Sequence, residues 1–249
     1  MSLLNTIYSG TSGLVLPVNK ANFPEAFKDK SRLEYYGALF NSIEINSTFY
    51  KLPKIITVEK WAASVQADFR FTFKMPKAIT HAPNFEFHLQ DLLQFLETVD
   101  GVGAKKGCLL AQFPPSFKIS HLEFLKQLLD FCFQYNPAAG WKLAIEFRDK
   151  SWYCSQVYDL LANYGAILVY HDKLNCEIPL GPNQSQGVYW RFHGPSANYR
   201  GSYSDSFLQQ KAIHLKDFLN NGNSAFVYFN NTMGDAIGNL NSFNNYINS

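Results

Sequence analysis

A chain of 249 residues, 47% of them hydrophobic and 17% charged, has the composition of an ordinary globular protein and the length of one barrel domain, with little room for two. Its 22 Lys and Arg against 20 Asp and Glu leave a net charge of +2, too small to imply a nucleic-acid or membrane partner by itself, so any electropositive site must be local. No stretch approaches the ~18 apolar residues of a membrane span, and residues 1–10 lack a basic segment leading into an apolar one, which makes the cytoplasm the default compartment and a membrane partner unexpected.

Short β-rich runs recur along the chain at 6–9, 42–46, 69–74, 107–112, 142–148, 166–170, 188–193 and 225–230. Most are followed by apolar residues at helical spacing, the pattern of βα units and a parallel sheet. Pro24 suits a first helical turn leading into Phe27, Leu33, Tyr36 and Phe40. Leu89, Leu92, Leu93, Leu96 and Val99 follow i, i+3, i+4, i+7 spacing. Ser120 and Glu123 have the spacing of a capping box before Leu125, Leu128, Leu129 and Cys132. Val157, Leu160, Leu161 and Tyr164 end at Gly165, a C-terminal cap. The run 173–187 holds Pro and Gly without an apolar period, so the sixth helix is expected to be reduced or irregular. The Asn-rich tail still places Leu240, Phe243 and Ile247 on one helical face. The expected architecture is therefore a single α/β domain over 1–249, a TIM-type (β/α)8 barrel. An open doubly wound sheet is the rival, but Gly10-Thr11-Ser12-Gly13 lacks the G-x-G-x-x-G turn that usually marks it. Cys108, Cys132, Cys154 and Cys176 show no C-x-x-C pair and read as reduced.

In such a barrel the functional face lies at the C-terminal ends of the strands. Those ends are polar: Ser9, Glu44 and Asn46, Lys74, Gln112, Glu146 and Arg148, His171 and Asp172, Arg191 and His193, then Asn230 and Asn231. Strand side chains alternate, so Glu44 and Asn46, Glu146 and Arg148, and Arg191 and His193 each share a face and converge if that face is inward. One reading is a self-satisfied ion network that plugs the barrel. The other is a pocket for a small anionic or phosphorylated ligand, with Lys74, Arg148 and Arg191 supplying charge, since arginine presents a bidentate fork to carboxylate or phosphate.

Under the second reading Asn46, Gln112, Asn230, Asn231 and Tyr199 complete the binding set, and Glu44, Glu146 and His193 move protons. The segment 230–234 would open the last helix with free backbone amides. Arg191→Ala is then expected to abolish anion binding and spare the fold. Two alternatives use other residues. A nucleic-acid-binding module would stack bases on Tyr199, Tyr203 and Trp152 beside Arg200. A metal-dependent phosphoesterase would draw ligands from Glu44, Glu146, His81, His171, Asp172 and His193, although no H-x-x-x-H or H-E-x-x-H spacing defines a site. No cofactor is assigned, and no G-x-S-x-G nucleophile motif occurs.

Several strings, in order, are similar to the YecE-like family, domain of unknown function 72. They are Gly10-Thr11-Ser12-Gly13, the run from Ile43-Glu44-Ile45-Asn46 to Phe49-Tyr50, Phe71-Thr72-Phe73-Lys74 with Ile79-Thr80-His81, and Gln112-Phe113-Pro114-Pro115. Ala144-Ile145-Glu146-Phe147-Arg148 with Ser151-Trp152, Tyr189-Trp190-Arg191-Phe192-His193-Gly194 and Tyr228-Phe229-Asn230-Asn231 follow. This resemblance implies the same barrel with its polar motifs at the strand ends and supplies no reaction. Leu14 stands where the family pattern has Trp.

Overall fold

Each β-rich run is a strand in the computed structural model, which describes residues 7–135, 140–173, 187–219 and 223–249. The strands are β1 (Ile7–Thr11), β2 (Ser42–Ile45), β3 (Arg70–Lys74), β4 (Lys106–Gln112), β5 (Lys142–Glu146), β6 (Ile167–His171), β7 (Val188–Phe192) and β8 (Ala225–Phe229). All are parallel, in the order β1-β8-β7-β6-β5-β4-β3-β2. A single bridge from Ser12 to Glu44 brings β2 back to β1. The result is a nearly closed (β/α)8 barrel of TIM type.

The β1–β2 seam is closed largely by side chains. Asn41 accepts a hydrogen bond from the Ser9 amide at 2.9 Å and donates to the Ile7 carbonyl at 2.8 Å. The Tyr36 hydroxyl, fully buried, accepts from the Thr11 amide at 2.7 Å and donates to the Ser42 carbonyl at 3.1 Å. These two residues supply the ladder that the strands lack, and so satisfy backbone groups shut away from water. Gly10 permits the approach, because a Cβ there would lie 1.9 Å from the Ser42 carbonyl oxygen.

Alternation sorts the side chains into two cores. Ile43, Phe71, Leu109, Ile145 and Phe192 face the helices in the larger cluster. Cys108, Leu110, Ala144, Ile167, Val169, Tyr189, Phe226 and Tyr228 fill the barrel interior, so the lumen is a packed core rather than a pore. The Tyr228 hydroxyl bonds Ser42 Oγ at 2.7 Å and Thr72 Oγ1 at 2.8 Å. Thr72 in turn accepts from the Cys108 amide at 3.1 Å, where the β3–β4 register shifts.

The helices are α1 (Arg32–Leu39), α2 (Ile55–Ala63), α3 (Lys77–Thr80), α4 (Leu89–Asp100), α5 (Leu122–Tyr135), α6 (Ser155–Asn163), α7 (Asp205–Leu219) and α8 (Ala236–Asn248). Two expected starts are corrected. Residues Lys20–Asn22 and Glu25–Phe27 form 3₁₀ turns, and the helix expected from Pro24 begins at Arg32. There Ser31 and Glu34 make a reciprocal capping box, each satisfying the other's amide. Ser120 lies inside a 3₁₀ turn, and the Glu123 carboxylate pairs with Lys126 at 2.7 Å instead of capping. Gly165, at φ +62°, does end α6: its amide bonds the Ala162 carbonyl and the next amide bonds the Leu161 carbonyl. The irregular unit expected between the sixth and seventh strands falls almost wholly on 174–186, outside the described residues. Among those that are described, no helix is long and apolar enough to cross a membrane.

Tyr36→Phe leaves the Thr11 amide buried without its acceptor. It should lower stability by about 1–3 kcal/mol, read as a lower urea midpoint with an unchanged m-value. A midpoint equal to the parent's would mean that the seam does not depend on this hydroxyl.

Candidate functional site

Three charged side chains from distant strands meet at the C-terminal end of the lumen. Arg191 on β7 binds Glu44 on β2 through Nε at 2.9 Å and Nη2 at 2.8 Å, and binds Glu146 on β5 through Nη1 at 2.6 Å. Tyr189 adds a short hydrogen bond to Glu44. Both carboxylates are 0% exposed and Arg191 is 2% exposed. Burial opposes their ionisation, but the guanidinium groups outweigh it. Arg191 holds Glu44 below the usual carboxylate range, while Arg148 and then Arg191 hold Glu146 well below it.

Arg148 connects this triad to a second tier. Its guanidinium pairs with Glu146 and also lies 3.1 Å from His193 Nε2. His193 Nδ1 is 3.0 Å from Asp172 Oδ1, and the His193 amide bonds the same carboxylate at 2.9 Å. Tyr203 donates to the other Asp172 oxygen. Burial pushes the His193 imidazole down to about 4 despite Asp172, so the ring is neutral near pH 7. The hydrogen bonds assign its proton to Nδ1, leaving the Nε2 lone pair to accept from Arg148. His171 is also buried and lowered. The Lys173 backbone amide donates to His171 Nδ1 at 3.2 Å, so the Nε2 proton of His171 faces the Phe147 carbonyl at 2.7 Å.

Above the triad lies a cavity of about 200 Å³. Among the described residues its lining divides into three cations (Lys74, Arg148, Arg191), three amides (Asn46, Gln112, Asn230) and three aromatic rings (Phe49, Tyr50, Tyr199), with no carboxylate. Lys74 Nζ donates to Gln112 Oε1 at 2.7 Å and lies 4.1 Å from the centre of the Phe49 ring. Burial, then the nearby Arg191 charge, pulls its amine down to about 8, although Glu146 and Glu44 oppose the shift. Tyr199 is held at φ +68° by its amide bond to the His193 carbonyl, and Lys173 Nζ sits 3.9 Å over its ring.

Seven of the residues expected at the site therefore line this cavity: Asn46, Lys74, Gln112, Arg148, Arg191, Tyr199 and Asn230. Glu44 and Glu146 lie in the ion triad beneath it, and His193 is enclosed behind Arg148. The side-chain amide of Asn231 donates to Gly201 O at 3.0 Å and Asn239 Oδ1 at 2.9 Å, in the packing against α8 rather than in the cavity lining. Three of the backbone amides expected free in 230–234 are engaged: Asn230 donates to Phe192 O, Met233 to Tyr199 O and Gly234 to Asn231 O. Asp235 caps α8 through the Gly238 amide. Of the proposed stacking set, Trp152 and Tyr203 are buried in the fold, leaving Tyr199 and Arg200. Among the described residues no three His, Cys, Asp or Glu side chains converge as a metal-ligand set. Phe49 and Tyr50 were missed, although their place three and four residues after Asn46, at the 3₁₀ turn Ser47–Phe49 that follows β2, was the available signal.

Arg191→Ala is a poorer test than its position in the sequence implied. Removing one guanidinium would leave two buried carboxylates short of their partner, at a cost of about 3–5 kcal/mol, so the fold would not be spared.

The neutral histidines also set an acid limit. Unfolded, a histidine titrates near ~6.5, whereas His193 and His81 are pushed to about 4 in the fold. Between these values the unfolded chain binds protons that the fold excludes, so stability falls as pH falls through that window. His193 accounts for up to roughly 3 kcal/mol of this. Denaturation midpoints across the window should show the slope, and His193→Gln should flatten it; an equal slope in that variant would reject the assignment.

The family model described as "Protein of unknown function DUF72" matches residues 8–249. The UPF0759 protein YecE of Escherichia coli K12 is 36% identical over 99 residues, which span 39% of this chain and only 36% of that protein's length. A crystal structure of a DUF72 family protein from Thermotoga maritima superposes with a TM-score of 0.80 at 27% identity, covering 98% of this chain and 100% of the other. D-psicose 3-epimerase, at a TM-score of 0.54 and 13% identity over 87% of this chain and 90% of its own, shares the barrel fold alone.

Proposed function

The chain belongs to the DUF72 family, and from the arrangement of its barrel mouth we propose that it is an enzyme that binds and turns over a small anionic substrate, carrying a phosphate or carboxylate group. One observation carries this reading: among the described residues, the cavity is lined by three cations and no carboxylate. Glu44 and Glu146, beneath the cavity, are engaged by the arginines that line it. A buried cation without a counter-charge is unfavourable, and the downward shift of Lys74 expresses that cost. An anion of the right size relieves it. The volume of about 200 Å³ lies below the roughly 300–1,000 Å³ of pockets for drug-sized ligands, so the ligand is small. Asn46, Gln112 and Asn230 offer neutral hydrogen-bonding groups around the charge, as suits a ligand bearing oxygens beyond its anionic group.

Titration calorimetry with sulfate tests this, because sulfate keeps its charge from about pH 6 to about pH 10. Affinity should be highest below about pH 8, where Lys74 is protonated. It should fall above that pH toward the affinity of Lys74→Met, a loss of at least about tenfold. The same substitution should raise Tm at neutral pH, by about 2–4 °C for each kcal/mol of burial cost removed, since the folded pKa lies below the unfolded one and the charged amine is the disfavoured form. Sulfate and phosphate affinities unaffected by Lys74→Met, or no binding of either, would reject the anion site.

A further inference from the structure

The three cations of the mouth differ in their bonding. Arg191 and Arg148 are each tied to a buried carboxylate. Lys74 has none within ion-pair distance among the described residues. Its amine is held between Gln112 Oε1 and the face of Phe49, at the inward end of β3, and lines the cavity. Guanidinium groups stay protonated in proteins and serve only as donors. An amine that can shed its proton is chemically different.

We infer that Lys74 is a nucleophile that forms a Schiff base with a small carbonyl compound bearing a carboxylate or phosphate group. This rests on the anion-binding reading of the same cavity and names its substrate class. Lysines become nucleophilic when they are desolvated or set beside other cations. Both conditions hold at Lys74, which is lowered to about 8 by burial and by Arg191. A group with that pKa is about one-tenth free base at pH 7, enough for attack without a dedicated base.

The division of labour follows from the bonding. The arginines, fixed by their carboxylates, hold the anionic group, and Lys74 meets the carbonyl carbon. The amine lone pair forms the N–C bond as the C=O π pair moves to oxygen, giving a carbinolamine. Its oxygen then leaves as water with two of the three protons that the ammonium form of Lys74 carries. The nitrogen ends as an iminium with one proton and one positive charge, so no net proton, oxidant or reductant is needed. The Phe49 face and the acid pair below stabilise a cation at that nitrogen before and after the step. The iminium then withdraws electrons from the adjacent carbon, which is the purpose of covalent activation by an amine.

Reduction with borohydride converts such an imine to a stable secondary amine. The full chain is incubated with pyruvate, glyoxylate or dihydroxyacetone phosphate, each with and without borohydride, and digested for peptide mass mapping. The expected result is a reduced adduct on Lys74 with at least one of the three, formed only with borohydride and suppressed by excess sulfate. Lys74→Arg, which keeps a cation and gives a second folded protein for comparison, should form no adduct at that peptide. Adducts confined to other lysines, or no adduct with any of the three, would overturn the inference. Sulfate binding by calorimetry separates the two ideas: bound sulfate without a Lys74 adduct removes only the Schiff base, whereas no sulfate binding removes the anion site as well.

Discussion

Glu44 and Glu146 are shut away from water at the end of the lumen, and two ionised carboxylates in that position require a cation between them. Arg191 is that cation. Its planar fork matches Glu44 in two hydrogen bonds and reaches Glu146 with a third, a geometry that a lysine's single ammonium could not reproduce. The triad ties β2, β5 and β7 together across the barrel, where backbone pairing joins only neighbouring strands. Apolar residues pack the lumen below it, so the ion triad marks the level at which the core ends and the polar mouth begins.

That arrangement determines the character of the mouth. Because Glu44 and Glu146 are taken up by Arg191 and Arg148, Lys74 is left, among the described residues, with an amide and an aromatic ring in place of an ion pair. At the seam and in the second tier the buried groups do find partners: Tyr36 and Asn41 complete the seam, and Asp172 holds His193. A local conflict of this kind in a consistent structure is where a functional site is expected. The mouth is also held in shape. Tyr199 and the loop 194–204 are bonded to the β8–α8 connection through Met233 and Asp235, which gives the cavity a fixed wall.

Much of this was legible in the residues. Eight β-rich runs became eight strands, because alternating and apolar patterns report which faces are buried. That Glu44 and Asn46, Glu146 and Arg148, and Arg191 and His193 each share a face followed from strand alternation, whereas alternation alone did not say that the face is inward. Helix starts were less legible. Ser31 with Glu34 and Ser120 with Glu123 have the same spacing, and only one pair forms a capping box, since the choice depends on whether the preceding chain adopts an extended conformation or a 3₁₀ turn.

Local periodicity was enough to place acids, cations and imidazoles at the strand ends, because it reports each residue's position along its own strand. Tertiary structure decided which charges cancel. Whether Glu146 points to Arg191 or to the cavity, whether Asn231 faces a ligand or Asn239, and whether Lys74 keeps a counter-ion all depend on distances between side chains far apart in the chain. Coulomb energy and desolvation vary steeply with those distances, and no local pattern encodes them.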